Sequence, residues 1–174
     1  MSDSGLSYRE AGVDIDAADA AKSEMAALLR TNNPLVLNSI GAFASLIDGR
    51  FPDYRHPVLV FKTEEPGSKQ KLASDHGRLD GLGFDLVNHL INDVIVLGAK
   101  PIAVQDCIVC GKLDRVAITR IVGSIARACE AQGCSLVGGE TSEQPGIVPD
   151  GTYVLSASVL GVVEKELVVD GSMI

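Results

Sequence analysis

The chain has 174 residues, 46% of them apolar and 22% charged, with a formal net charge of −8. That composition belongs to one folded domain large enough to bury its own core, and it excludes a disordered chain. The acidic balance, with no basic run, argues against nucleic acid as the main partner. It leaves room for a nucleotide, whose phosphates can be met by a metal, a lysine and backbone N–H groups.

No basic segment followed by an apolar stretch opens the sequence, so no secretory signal is expected. No run of about 18 apolar residues is present either, so no membrane span is expected. The four cysteines stand at 107, 110, 129 and 134. Cys107-Ile-Val-Cys110 has the spacing of redox and zinc sites, but no second pair with ligand spacing accompanies it. The flanking Ile and Val favour buried strand thiols instead. The chain reads as cytoplasmic.

Taken in order, Asp16 is placed to cap an alanine-rich helix over 17–30 that stops before Asn32-Asn33-Pro34. Residues 39–50 have no clear period. Pro57–Lys62 is a β-branched run expected to be a strand, emptying into a loop over 63–69. A helix is expected over 84–97, closing on Gly98. Pro101–Val109 reads as a second strand. Asp114 can cap a helix over 115–131, whose Ile118, Ile121, Val122, Ile125 and Cys129 recur at helical spacing, with Gly133 ending it. Strands over 134–138 and 152–164 follow. Helices alternating with strands predict a layered α+β domain: a mixed or antiparallel sheet of about four strands, covered on one face by helices.

Three segments carry chemistry. The apolar run after Cys134 breaks at Gly138-Gly139 and presents Glu140 and Thr141. This is either a plain strand-ending turn or a glycine bend offering a carboxylate and a hydroxyl to a hard cation such as Mg²⁺. On the mostly apolar helix 84–97, Asp85, Asn88, His89, Asn92 and Asp93 fall on one side at spacings of three and four. They either satisfy neighbouring loops or serve a site in which Asp93 helps hold a metal and Asn92 orients it or meets the ligand. The loop 63–69 offers Glu64 or Glu65 to a metal, Gly67 and Ser68 to a phosphate, and Lys69 as a point charge. It is not a Walker A loop, and a solvated acidic turn is its plainer reading. Asp106 is a fourth candidate, an acid inside an apolar strand.

In unbroken order these segments resemble the aminoimidazole ribonucleotide synthetase family, the phosphoribosylformylglycinamidine cyclo-ligases of purine biosynthesis. The resemblance rests on Tyr8 with Ala11-Gly12-Val13-Asp14-Ile15, Asp85-Leu86-Val87, Asn92-Asp93, Gly98-Ala99-Lys100-Pro101, Asp106 and Gly111-Lys112-Leu113. It continues through Gly133-Cys134-Ser135-Leu136-Val137-Gly138-Gly139-Glu140-Thr141 and ends with Gly161-Val162-Val163-Glu164-Lys165 and Asp170-Gly171.

It implies an enzyme that uses ATP and Mg²⁺ to activate the amide oxygen of formylglycinamidine ribonucleotide, after which the amidine nitrogen closes the imidazole ring. It also implies a homodimer formed through the sheet. Carried onto this chain, the catalytic set is Asp93, Asp106 and Glu140. Gly67, Ser68, Lys69, Asn92, Gly138, Gly139 and Thr141 bind the nucleotide, and Glu64, Asp93 and Glu140 converge on one metal ion.

Two departures stand out. The family's loop Asp-Gly-Val-Gly-Thr-Lys is here Glu64-Glu65-Pro66-Gly67-Ser68-Lys69, which removes backbone freedom and an N–H donor. The glycine-rich stretch expected before the strand is thinned to Ser39-Ile40-Gly41-Ala42-Phe43. The family also carries a second domain of similar size, so residues 1–174 are expected to be the amino-terminal, ATP-binding half of a two-domain enzyme.

The alternatives are another ATP-using member of the superfamily or a non-catalytic dimerisation module. Among the former, selenophosphate synthetase is disfavoured because no cysteine precedes Cys107, and thiamine-monophosphate kinase because AGVDI and GGET fit the cyclo-ligase better. The hydrogenase maturation factor belongs to the same set.

Overall fold

The computed structural model describes residues 31–38 and 43–172. The AGVDI segment, the helix expected over 17–30 and Ser39–Ala42 lie outside the described residues. The ordered elements are strand β1 (Pro57–Glu64), a short helix α1 (Lys69–Asp75) and a 3-10 turn (Leu79–Gly81) leading into helix α2 (Leu82–Ile95). They continue with strand β2 (Lys100–Cys110), helix α3 (Arg115–Ala131), strands β3 (Ser135–Glu143) and β4 (Tyr153–Glu164), and a closing 3-10 turn (Lys165–Leu167).

The strands form one mixed sheet in the order β1-β4-β2-β3. β4 pairs antiparallel with both β1 and β2, whereas β3 runs parallel to β2 and is reached through α3. A parallel neighbour needs such a crossover, and the helix that makes it is buried on the sheet. The expected α+β architecture is the one observed.

α2 and α3 cover one face of the sheet. Leu86, Leu90 and Val94 of α2, with Ile118, Ile121 and Ile125 of α3, are fully buried against Val104, Ile108, Leu155 and Val159. The two helices meet at Gly83, where a Cβ would lie 2.3 Å from the Ile125 nitrogen, so only a residue without a side chain permits this approach. Asp114 caps α3 as its sequence predicts: its Oδ1 accepts from the Val116 and Ala117 N–H groups at 2.9 and 3.2 Å. Gly133 at φ +68 closes the same helix, with its N–H on the Glu130 carbonyl and the Cys134 N–H on the Cys129 carbonyl.

The other face carries a smaller cluster. Ile102, Ala103, Val137 and Val162 pack there under Leu35, Val36, Ile47, Phe51 and Tyr54. Towards β1, among the described residues, that face is open, with Leu59 and Phe61 57% and 72% exposed.

Three boundaries differ from expectation. β1 runs on to Glu64, and Lys69 begins a helix, which reduces the loop to residues 65–68. α2 starts and ends two residues earlier than its apolar pattern suggests. β3 does not break at Gly138-Gly139. It bulges there and continues to Glu143, because β2 goes on offering it a parallel partner as far as Cys110.

Candidate functional site

Alternation along β1 turns Val58, Val60, Lys62 and Glu64 towards the helices, and Leu59, Phe61 and Thr63 away from them. The last two helix-facing positions of the strand are therefore a lysine and a glutamate, set opposite α2. On that helix Asp85, His89 and Asp93 succeed one another at steps of four, so they form one row along the strand end.

Lys62 Nζ lies 2.6 Å from Glu64 Oε1 and 3.0 Å from Asp93 Oδ2. His89 Nδ1 stands 3.8 Å from the other Glu64 oxygen. Ligand-type atoms of Glu64, His89 and Asp93 all fall within 4.8 Å of one another. The Lys62 ammonium hydrogen-bonded to Glu64 holds that carboxyl below the usual glutamate range, and the same two carboxylates raise Lys62.

One turn earlier, Lys69 Nζ is paired with Asp85 Oδ1 at 2.8 Å. Asp85 Oδ2 is buried without a hydrogen-bond partner. Between the two pairs, Pro66 is fully buried and Gly67 takes φ +65, a conformation in which a side chain would be strained. Asn88 is turned to the far end of α3, where it accepts from Gln132 Nε2 at 2.9 Å, and Asn92 is exposed.

The second place is the middle of the sheet. Asp106 lies between Val104 and Ile108 on the helix-facing side of β2, and burial pushes its carboxyl up to about 7. Its neighbour across the parallel pair is Gly139. A Cβ on Gly139 would sit 1.7 Å from Asp106 Oδ1 and 2.6 Å from the Asp106 carbonyl, so the acid occupies the space of the missing side chain. Gly138 takes φ +152 at the bulge and faces Ser45, whose hydroxyl donates to the Val137 carbonyl at 2.9 Å.

The structure thus brings Glu64 and Asp93 together and sets Asp106 against Gly139. It does not bring Glu140 to the first group. Glu140 is in register with Cys107, one step out of phase with helix-facing Asp106, and so is turned to the opposite face of the sheet. Two strands, β4 and β2, lie between β3 and β1. The expected convergence of three carboxylates is corrected to a pair, for a reason of strand phase. Thr141 is in register with Ile108 and so returns to the helix face.

Lys62 is the residue that sequence reasoning missed. Its signal was the period-two pattern itself, which puts it on the same face as Glu64. The Cys107–Cys110 spacing yields no site, because three residues along a strand turn the thiols to opposite faces; all four cysteines are free. A concave surface of about 490 Å³ at Lys112, Asp114, Asp150 and Tyr153 involves none of the predicted residues.

Residues 53–163 match the model of the family described as AIR synthase related protein, N-terminal domain. The chain belongs to this family. β1 to β3, all of β4 but Glu164, and both residue groups described above fall inside the matched stretch.

Among curated relatives, the phosphoribosylformylglycinamidine cyclo-ligase of Bordetella avium is 47% identical over 97% of this chain and 48% of its own length. That of Aromatoleum aromaticum is 48% identical over 97% of this chain and 49% of its own length. The AIR synthase-related chain therefore spans about half the length of the curated relatives it matches. Its fold is also that of thiamine-monophosphate kinase from Stenotrophomonas maltophilia, with a TM-score of 0.64 at 16% identity over 90% of this chain and 44% of the kinase. The hydrogenase maturation protein HypE, solved in complex with ATP, gives a TM-score of 0.56 at 19% identity over 97% of this chain and 44% of HypE. At such identities the two likenesses concern the fold alone.

Among the described residues no helix is long and apolar enough to cross a membrane.

Proposed function

We propose that this AIR synthase-related domain is the ATP-side half of a phosphoribosylformylglycinamidine cyclo-ligase. The enzyme closes formylglycinamidine ribonucleotide to aminoimidazole ribonucleotide in de novo purine biosynthesis. One observation carries the reading: 47–48% identity to enzymes of that name, sustained over 97% of this chain.

In the proposed reaction the γ-phosphoryl group of ATP passes to the amide oxygen of the substrate. The amidine nitrogen then attacks the activated carbon and phosphate departs. The protein has little covalent chemistry to do. Its task is to hold two ends of one substrate together and to offset charge on the phosphoryl group.

The β1 end and the following turn suit that task. Lys69 supplies a point charge, the Gly67-Ser68 turn supplies backbone, and Asn92 and Asp93 line the neighbouring helix. On β3, at the far edge of the sheet, Gly138, Gly139 and Thr141 are assigned to nucleotide contacts, and Asp106 packs against Gly139. Glu140, on the open face, is assigned to a contact made across that face.

Mg²⁺ is the ion that the family resemblance implies. Glu64 and Asp93 fit it in kind, being carboxylates. They do not fit it in space, since Lys62 Nζ already sits between them.

The open face around Leu59 and Phe61 is proposed as the surface through which two copies pair, and the cytoplasm as the compartment.

The test is nucleotide binding by this chain, read as thermal and urea stability with and without ATP. A ligand at a hundredfold excess over its Kd adds about 2.7 kcal/mol to stability. A gain of that order supports the reading, and unchanged stability at millimolar ATP refutes it.

A further inference from the structure

We infer that Lys62 is the resident cation of the Glu64–Asp93 pair, standing where a divalent ion would otherwise have to sit, so that the domain alone takes no metal there. The inference goes beyond the functional reading, because it concerns the charge state of this site whatever reaction the protein serves.

Lys62 and Glu64 are two residues apart on one face of β1, and Asp93 comes down from α2 onto the same spot. The ammonium bridges both acids at 2.6 and 3.0 Å, which are charge-assisted hydrogen-bond distances. Mg²⁺ would need carboxylate oxygens at about 2.0–2.1 Å in a nearly octahedral shell. A cation in that wedge would have to expel Nζ or lie against it, and either course forfeits most of the attraction of two acids for a metal.

Lys62 is well suited to stay, since its side chain is only 37% exposed and its ammonium is held by two acids at once. The group left over is His89, whose Nδ1 stands 3.8 Å from Glu64. Two carboxylates and one ammonium leave a single net negative charge, too little to recruit a free divalent ion strongly. A metal would therefore reach this edge with a polyphosphate, whose oxygens can take over the displaced ammonium.

The experiment is a titration of Mn²⁺ alone into the whole chain without nucleotide, with free Mn²⁺ read by electron paramagnetic resonance. The variants are K62M, K62Q, K62R and the double variant K62M/E64Q, each checked for a native far-ultraviolet circular dichroism spectrum. Removing the ammonium in K62M and K62Q should tighten binding of a single Mn²⁺ by about tenfold or more. K62R, which keeps a cation, should behave like the wild type, and K62M/E64Q should lose the gained site. Equal Mn²⁺ affinity in wild type and K62M overturns the inference, as does a K62M site that survives E64Q. Because no nucleotide or substrate enters the titration, either result leaves the cyclo-ligase reading to be judged separately.

Discussion

Asp106→Asn is the substitution whose effect can be worked most directly from the structure. The wild-type carboxyl is driven from an ordinary 3.8 to about 7 by burial beneath the helices. The folded protein therefore holds a proton that the unfolded chain has already released between these two values. Stability falls as pH rises across that window, because the unfolded state binds fewer protons than the native one. At about 1.4 kcal/mol for each pH unit, the ceiling on the loss is about 4 kcal/mol, and partial water access brings the expected value to about 2–4 kcal/mol.

Asparagine keeps the shape and carries no charge to desolvate. Asp106→Asn should be more stable than the wild type by about 1–2 kcal/mol at pH 5, rising to about 2–4 kcal/mol at pH 8. Urea unfolding at pH 5, 6, 7 and 8, followed by circular dichroism, reads the difference while other carboxylates cancel between the two proteins. A stability difference that stays constant from pH 5 to pH 8 would refute the burial of this carboxyl on the helix-facing side of the sheet.

Gly139→Ala should destabilise the domain by about 1–3 kcal/mol in a urea melt, since the new methyl meets both the side chain and the backbone of Asp106. An effect below about 0.5 kcal/mol would mean that β3 does not pass so close to β2. Asp114→Ala removes an acceptor from two N–H groups and should cost about 1 kcal/mol in the same melt, with activity intact. Replacing Leu59 and Phe61 together by aspartate should leave the melting temperature nearly unchanged and shift the sedimentation coefficient from dimer to monomer, if the open face is where copies pair. A double variant that sediments like the wild type would place the interface elsewhere.

The parts of this fold legible in the sequence are those fixed by local chemistry. Helix α3 runs over the residues its pattern predicts because Asp114 and Gly133 are start and stop signals that act on their own neighbours. The existence of the four strands is legible for the same reason, being carried by runs of branched residues, although the ends of β1 and β3 are not.

Where the sequence was misread, the deciding partner lay far along the chain. Gly138-Gly139 looks like a stop, yet β2 keeps the strand going through a bulge. Glu140 looked available to a metal beside Glu64, but strand phase and sheet order put the two on opposite faces. Lys62 ends an apolar run as a single polar residue, and its meaning depends on where α2 sets Asp93. Asp106 stands out in the sequence as an acid inside an apolar strand, but nothing near it in sequence identifies Gly139 as its neighbour on β3.

The most direct measurement of the central claim is product formation. This chain is combined with the carboxy-terminal half of a cyclo-ligase such as that of Bordetella avium, then supplied with ATP, Mg²⁺ and formylglycinamidine ribonucleotide. The account predicts aminoimidazole ribonucleotide and ADP in equal amounts, with no product when either half is omitted. A correctly folded mixture that binds ATP and yields no aminoimidazole ribonucleotide would contradict it.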